Sequence, residues 1–349
     1  MAPLAAGYLP ASYTGPPQLT LGRAFTEWTA DPVMIVLAVV LGGGYLAAVH
    51  RVRRGAGQGE RGQWGTGRVI AFCGLGLGFL VIATMSWAAA YQGVLFYARA
   101  VQTVLLVLVV PLFLAMGKPL TLIETAFPIT ARTVRIVVRS RAAKVVTFPA
   151  ITALALVAVP MVMYFTSWYT ASFHSGTIRE LTYLALMVPG YVFFWTLLRV
   201  DPVPKEYLYG VAMWITAAEV IGDAFFGIAV IADNNLIAGP HYHAAGYPWG
   251  PSLATSQVIG GGVIWILGDF VGLPFLAVQL IQMMREDKAE AAVVDAELDA
   301  RDAARDATRA QPAGAALSET GAAEADVAAD TEHPWWEGDP RFTDRFKNA

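Results

Sequence analysis

A single cysteine, Cys73, serves all 349 residues, which excludes an intramolecular disulfide and any Cys-x-x-Cys metal or redox motif. Charge is scarce too. Asp, Glu, Lys and Arg make up 15% of the chain against 56% hydrophobic residues, too few to coat a soluble globule of this length. A Walker loop, a His-Glu-x-x-His pair and a Gly-x-Ser-x-Gly elbow are all missing from the sequence. Phosphate-cradling, zinc-protease and serine-hydrolase chemistry thus lack their usual residues, and the protein is expected not to be an enzyme and to take no nucleic acid as partner. The glycines of "CGLGLG" at 73–78 lie in an apolar run, where they serve close helix contact rather than phosphate binding.

What the chain does have is long apolar runs. A hydrocarbon core about 30 Å thick takes roughly 20 residues of helix, and seven such runs stand near 32–50, 69–90, 96–116, 147–169, 181–199, 208–231 and 258–283. They are continuous, not alternating, which excludes a membrane β-barrel. The expected fold is all-α, a polytopic membrane bundle of seven transmembrane helices in a cell (plasma) membrane, with the lipid bilayer as its surroundings. Pro111, Pro160, Pro189 and Pro274 are expected to kink their helices.

Cations set the expected orientation, because Lys and Arg are retained on the cytoplasmic side. Arg51, Arg53, Arg54, Arg61 and Arg68 crowd the first connection, Lys118, Arg132, Arg135, Arg139, Arg141 and Lys144 the third, and Arg199 and Lys205 the fifth. Residues 232–257 hold no Lys or Arg. The N-terminus is therefore expected outside and the C-terminus in the cytoplasm. Residues 1–31 lack a basic n-region and read as a short extracytoplasmic tail rather than a cleaved signal peptide. Residues 32–284 form the membrane domain, and 285–349 a cytoplasmic tail.

That tail is acidic and Ala-rich. It holds 16 of the 27 acidic residues and 8 of the 24 Lys and Arg, which leaves the tail at −8 and the rest of the chain at +5. Its first part is expected to extend the last helix, and the remainder to be disordered. The end, "HPWWEGDPRFTDRF", sets Trp335, Trp336, Phe342 and Phe346 among charges, a composition suited to docking on a partner or the membrane interface.

Ionisable residues inside apolar runs need a partner or a purpose, since each costs about 2.5–3.5 kcal/mol on insertion scales. Glu180, Glu219, Asp223 and Asp269 are the acids, and Arg99 and Arg179 stand at helix mouths. Glu219 and Asp223, four apart, share one helix face. Together the six read as a polar cluster: either ion pairs fixing helix register, or a site for an ion, a proton relay or a ligand. A proton- or solute-coupled transporter using these carboxylates is the alternative function. For a metal, "GPHYHAAGYPWGP" offers His241 and His243, and "PMVMYFTSW" offers Met161 and Met163, whose thioethers suit Cu(I). A methionine-rich helix is more often only packing.

The segments "WTADPVMIVLAVVLGGGYLAAVHRVR", "RVIAFCGLGLGFLVIATM", "VVPLFLAMGKPLTL", "VDPVP" and "GGGVIWILGDF" follow in an order similar to that of the CtaG-type cytochrome c oxidase assembly family. These are integral membrane proteins linked to copper delivery to the oxidase, and the resemblance covers roughly residues 28–284. It implies assistance in assembling a haem-copper oxidase, whose subunits would be the partners, and copper as the cargo or cofactor. The family usually carries two histidines four apart entering the third helix, where this chain has Arg99 and Thr103. Further family positions, histidines at the start of the fifth helix and before "AFFG" and an Asp before "GGGVIW", meet Arg179 and Tyr183, Asp223, and Ser256 here. The resemblance therefore implies a ligand set replaced together, with Arg99 in a ligand's place and paired to Asp223.

Overall fold

The computed structural model describes residue 13 and residues 15–55, 64–199, 201–204 and 209–310. Its regular structure is helical, with no strand among the described residues. Among the described residues six helices are long and apolar enough to cross a membrane, or seven if one bent pair is a single span. The chain divides into two units, residues 1–285 and 286–349.

The first span, Pro32–Gly55, starts where Asp31 stops the preceding loop. The Asp31 carboxylate accepts from the amides of Val33 and Met34 at 3.1 Å each, and Pro32 needs no such partner. Arg53 and Arg54 close the last turn, where cations suit the helix dipole. The second span, Thr66–Tyr91, is π-helical over Ile70–Gly76 and breaks at Ser86, whose backbone is extended.

The third span, Phe96–Ala126, shows how one proline shapes a bundle. Pro111 has no N–H, so the carbonyl of Val107 four residues earlier loses its helical donor. A π-helical turn at Leu105–Val109 precedes the proline. The fifth span, Gly176–Leu198, crosses at this point with Gly190 against the freed carbonyl. A Cβ on Gly190 would stand 1.9 Å from the Val107 oxygen and 2.9 Å from Pro111 Cγ.

Past Met116 the chain turns through Lys118 in the left-handed region, φ 53°, and restarts as the short helix Pro119–Ala126. Asp201 caps it from the loop after the fifth span, accepting from the Leu120 and Thr121 amides at 3.1 and 2.8 Å and from the Thr121 hydroxyl. Asp201→Ala is expected to destabilise the protein by about 1 kcal/mol, the usual cost of a lost cap, read as a lower melting temperature in detergent. An unchanged midpoint would show the cap to be dispensable.

The single helix expected over 147–169 is corrected. Pro149–Tyr164 ends at Phe165, and Trp168–His174 departs at 69°. The local cause is a turn at Thr166–Ser167, where the Thr166 hydroxyl takes the Trp168 amide that would otherwise continue the helix. This bend lays Tyr169, Ser172 and Phe173 across the end of the bundle.

The sixth span, Tyr209–Ala232, and the last helix, Leu253–Ala310, pack through glycine: a Cβ on Gly227 would lie 2.7 Å from the Gly261 carbonyl. Residues 285–310 continue the last helix, as expected of the first part of the tail, and their many Ala, Glu and Arg residues favour it. The docking segment with Trp335, Trp336, Phe342 and Phe346 lies outside the described residues, as do Arg61 and Lys205.

Candidate functional site at the Arg99 end of the bundle

Arg99 enters on the first turn of the third span and is 1% exposed, the largest fully buried side chain among the described residues. The pairing with Asp223 expected from the sequence is corrected. Among the described residues no carboxylate comes within ion-pair distance of its guanidinium. Instead Nη1 donates to Gln92 Oε1 and Gln102 Oε1, both at 2.7 Å, and Nη2 donates to Ser172 Oγ at 3.2 Å and Met163 Sδ at 3.7 Å. The rings of Tyr169 and Phe173 flank its Cζ at 5.8 and 5.5 Å. Its Nε is buried and unbonded.

The two glutamines extend this network. Their amide nitrogens converge on the Tyr183 hydroxyl at 3.3 and 3.1 Å, and Gln102 also donates to the Ala83 carbonyl at 2.8 Å. Thr103 bonds back to the Arg99 carbonyl and meets the Tyr164 hydroxyl at 3.1 Å. Tyr169 meets Tyr242 at 2.7 Å, and Tyr242 donates to the Gln92 carbonyl. Ser256, on the last helix, accepts the amide of Phe96 at the start of the third span. One guanidinium thus ties the second-to-third-span connection, the third span, the end of the fourth and the helix after it, with donors in a fork that only arginine supplies.

Of the positions singled out by the resemblance, Arg99, Thr103 and Tyr183 therefore meet in one hydrogen-bonded cluster. Two others do not. Arg179 pairs with Glu180 at 3.1 Å and with Asp31 at 3.6 Å, which joins the starts of the first and fifth spans. Asp223 faces the last helix: its carboxyl hydrogen-bonds that of Glu219, and Oδ2 lies 2.9 Å from where a Gly268 Cβ would be. Both acids are buried, and Asp269 approaches them with its own Oδ1 unbonded. The six residues expected in one cluster thus fall into three separate groups: Arg99 in the guanidinium network, Arg179 and Glu180 in an ion-paired triad with Asp31, and Glu219, Asp223 and Asp269 as a group of acids.

The proposed soft-metal ligands are not brought together. Met161 and Met163, two residues apart on a helix, face different ways, and Met163 Sδ is taken by Arg99. His243 is exposed. The His241 ring stacks on Phe173 at 4.3 Å, and its Nε2 meets the Gly93 carbonyl at 3.0 Å. Its nearest imidazole is His174, 5.6 Å away edge-on. No group of three or more His, Cys, Asp or Glu able to hold a metal exists among the described residues. The donors around Arg99 are amides, hydroxyls and one thioether already engaged by a cation, so this set does not fit copper.

Gln92, Gln102, Ser172 and Asp31 were not singled out by the sequence reading. Gln102 carried a signal, since it is three residues from Arg99 and shares its helix face. Ser172 carried none, because only the unexpected bend brings it there.

Burial lowers the pKa of His241; the Gly93 carbonyl opposes this and His174 adds to it. A histidine depressed in the fold holds its stabilising neutral form above the ordinary value near 6.5, and that contribution is lost as pH falls through the folded value. Melting temperature is accordingly expected to fall from pH 7 to pH 5, with a shallower fall in His241→Gln. Equal slopes for both proteins would contradict this placement of the ring.

A family model described as cytochrome c oxidase caa3 assembly factor (Caa3_CtaG) matches residues 43–286. The chain is 27% identical over 297 residues to the uncharacterized proteins Mb0105 of Mycobacterium bovis and MT0111 of Mycobacterium tuberculosis, covering 82% of this chain and 44% of theirs. Uncharacterized protein ML1998 of Mycobacterium leprae is 27% identical over 282 residues, 78% of this chain and 41% of its own length. The chain thus spans less than half the length of these curated relatives. No solved structure matches it.

Proposed function

The chain belongs to the cytochrome c oxidase caa3 assembly factor family, and on that premise we propose that it assists assembly of a haem-copper oxidase in the cell membrane. The role is that of a non-catalytic scaffold holding oxidase subunits, with the N-terminus outside and the C-terminus in the cytoplasm. The match across residues 43–286, from the first span into the last helix, carries this reading. The transporter alternative draws no support from the comparisons.

Copper delivery through the Arg99 position is not part of the proposal. A guanidinium there already takes up the neighbouring thioether of Met163 and the oxygens of Gln92, Gln102 and Ser172. The positive charge would also repel a cuprous ion at short range. The cluster's role is instead to hold the ends of several helices in one arrangement that a partner subunit recognises.

Deleting the gene and measuring assembled oxidase, its copper content and oxygen consumption tests this. Assembled enzyme and respiration are expected to fall together and to return with the intact chain. Unchanged values for all three would remove the assembly role.

A further inference from the structure

Two features at the corner between the helices Pro119–Ala126 and Pro128–Val138 play no part in the Arg99 network. The first is an apolar cavity of about 530 Å³. Its walls include Val40, Gly44 and Ala48 of the first span, Phe72 of the second, and Leu122 and Ile123 of the capped helix. It reaches Phe127 and Thr130 at the corner itself. The small residues of the first span open this groove: nothing lies within 4 Å of where a Gly44 Cβ would be.

The second is the helix Pro128–Val138, which presents two adjacent outward stripes. Arg132, Arg135 and Arg139 recur at helical spacing around one concave surface with Ile136. Beside them Ile129 is 94% exposed, and Ile136 and Val137 are also uncovered. Ala131 and Val138 hold the inward face. An exposed aliphatic stripe next to an arginine stripe is the pattern of a helix lying in a membrane–water interface.

The groove reaches the start of this helix at Phe127 and Thr130, two residues before the first arginine of the stripe, Arg132. The guanidinium of Arg51 lies over the Phe127 ring, 5.0 Å from its centroid, which puts another cation at the groove's rim. Glu124 is the carboxylate close by, 3.9 Å from Arg135 Nε, so the corner remains strongly positive. The groove follows the first span from Val40 to Ala48, about 12 Å of helix. That is less than half of a hydrocarbon core about 30 Å thick, so its occupant belongs to one leaflet.

We propose that this corner binds an anionic phospholipid, with an acyl chain in the groove walled by Gly44 and Leu122, the phosphate headgroup between Arg51 and Arg132, and Arg135 and Arg139 adding to the positive field that draws it. The arginines recognise the charge, by forked hydrogen bonds to phosphate oxygens. The apolar groove requires the tail. The site would fasten one face of the protein to the leaflet on that side and is independent of the oxidase reading.

The test uses the full chain in neutral detergent, titrated with phosphatidylglycerol, phosphatidylcholine or soluble glycerol phosphate, with bound lipid read by native mass spectrometry. Phosphatidylglycerol is expected to be retained roughly tenfold or more over phosphatidylcholine. Glycerol phosphate is expected to bind negligibly. The triple variant R132Q/R135Q/R139Q should lose the preference, and Gly44→Leu, which fills the groove, should lose retention of both lipids.

If the triple variant does not fold, raising salt on the native protein replaces it, because screening should erase the preference. Equal retention of both lipids would overturn the site in favour of an apolar occupant such as a partner's helix. Equal binding of glycerol phosphate would reduce it to a surface phosphate site. A preference that survives both the substitutions and high salt would overturn it as well.

Discussion

Replacing Arg99 by alanine is expected to destabilise the protein by about 3–5 kcal/mol, as breaking a buried charged network does. The change removes the donor shared by Gln92, Gln102, Ser172 and Met163 and leaves their acceptors facing a void. Arg99→Met separates the two contributions. It fills much of the volume, so its loss should be smaller, about 1–3 kcal/mol, and due to the stranded amide oxygens. Arg99→Lys keeps the charge but cannot reach both glutamines as a fork does, and should fall between native and methionine. Unfolding in mixed micelles gives these free energies, and a fully stable Arg99→Met would show that the network holds nothing. Because Asp223 turns toward the last helix, losses from Arg99→Met and Asp223→Asn should add to within about 0.5 kcal/mol. Mutual rescue would restore the ion pair that the geometry replaces.

Gly190→Ala should be comparably severe for an unrelated reason. The new methyl would lie 1.9 Å from the Val107 carbonyl oxygen, against a backbone that cannot rotate away as a side chain can. The third and fifth spans must separate, or the π-helical turn before Pro111 must reform, and either loses packing along the crossing. Overpacking of this kind typically costs about 1–3 kcal/mol and more where backbone is struck, so at least 3 kcal/mol is expected. Gly44→Ala is the control, since its methyl meets open space. Unfolding curves of the two alanine variants give the comparison, and equal stabilities would contradict the crossing.

The spans were legible because a membrane helix declares itself by composition: twenty apolar residues have few other uses. The bend after Tyr164 was not, since the apolar run from 149 passes through Phe165 with no proline or glycine between 161 and 168 to mark a break there. What breaks the helix is a hydroxyl at Thr166 competing for one amide. That Arg99 and Thr103 share a helix face followed from their spacing of four. The partner did not follow, because spacing within one helix leaves open which face a neighbouring helix presents. Asp223 was the partner expected, yet the glycines at 268 and 272 let its helix face pack on the last helix. Asp31 was readable as a cap before Pro32. Its ion pair with Arg179 depends on how the first and fifth spans pack, which one sequence does not encode in any local pattern.

We propose that a guanidinium, rather than a metal, organises the end of the bundle where the third and fifth spans begin. Copper per chain, measured after loading purified protein with Cu(I) under reducing conditions and desalting, tests it most directly. Well under one copper per chain is expected, with no change on replacing Met163 or His241. One tightly held copper per chain, lost when either residue is replaced, would contradict it.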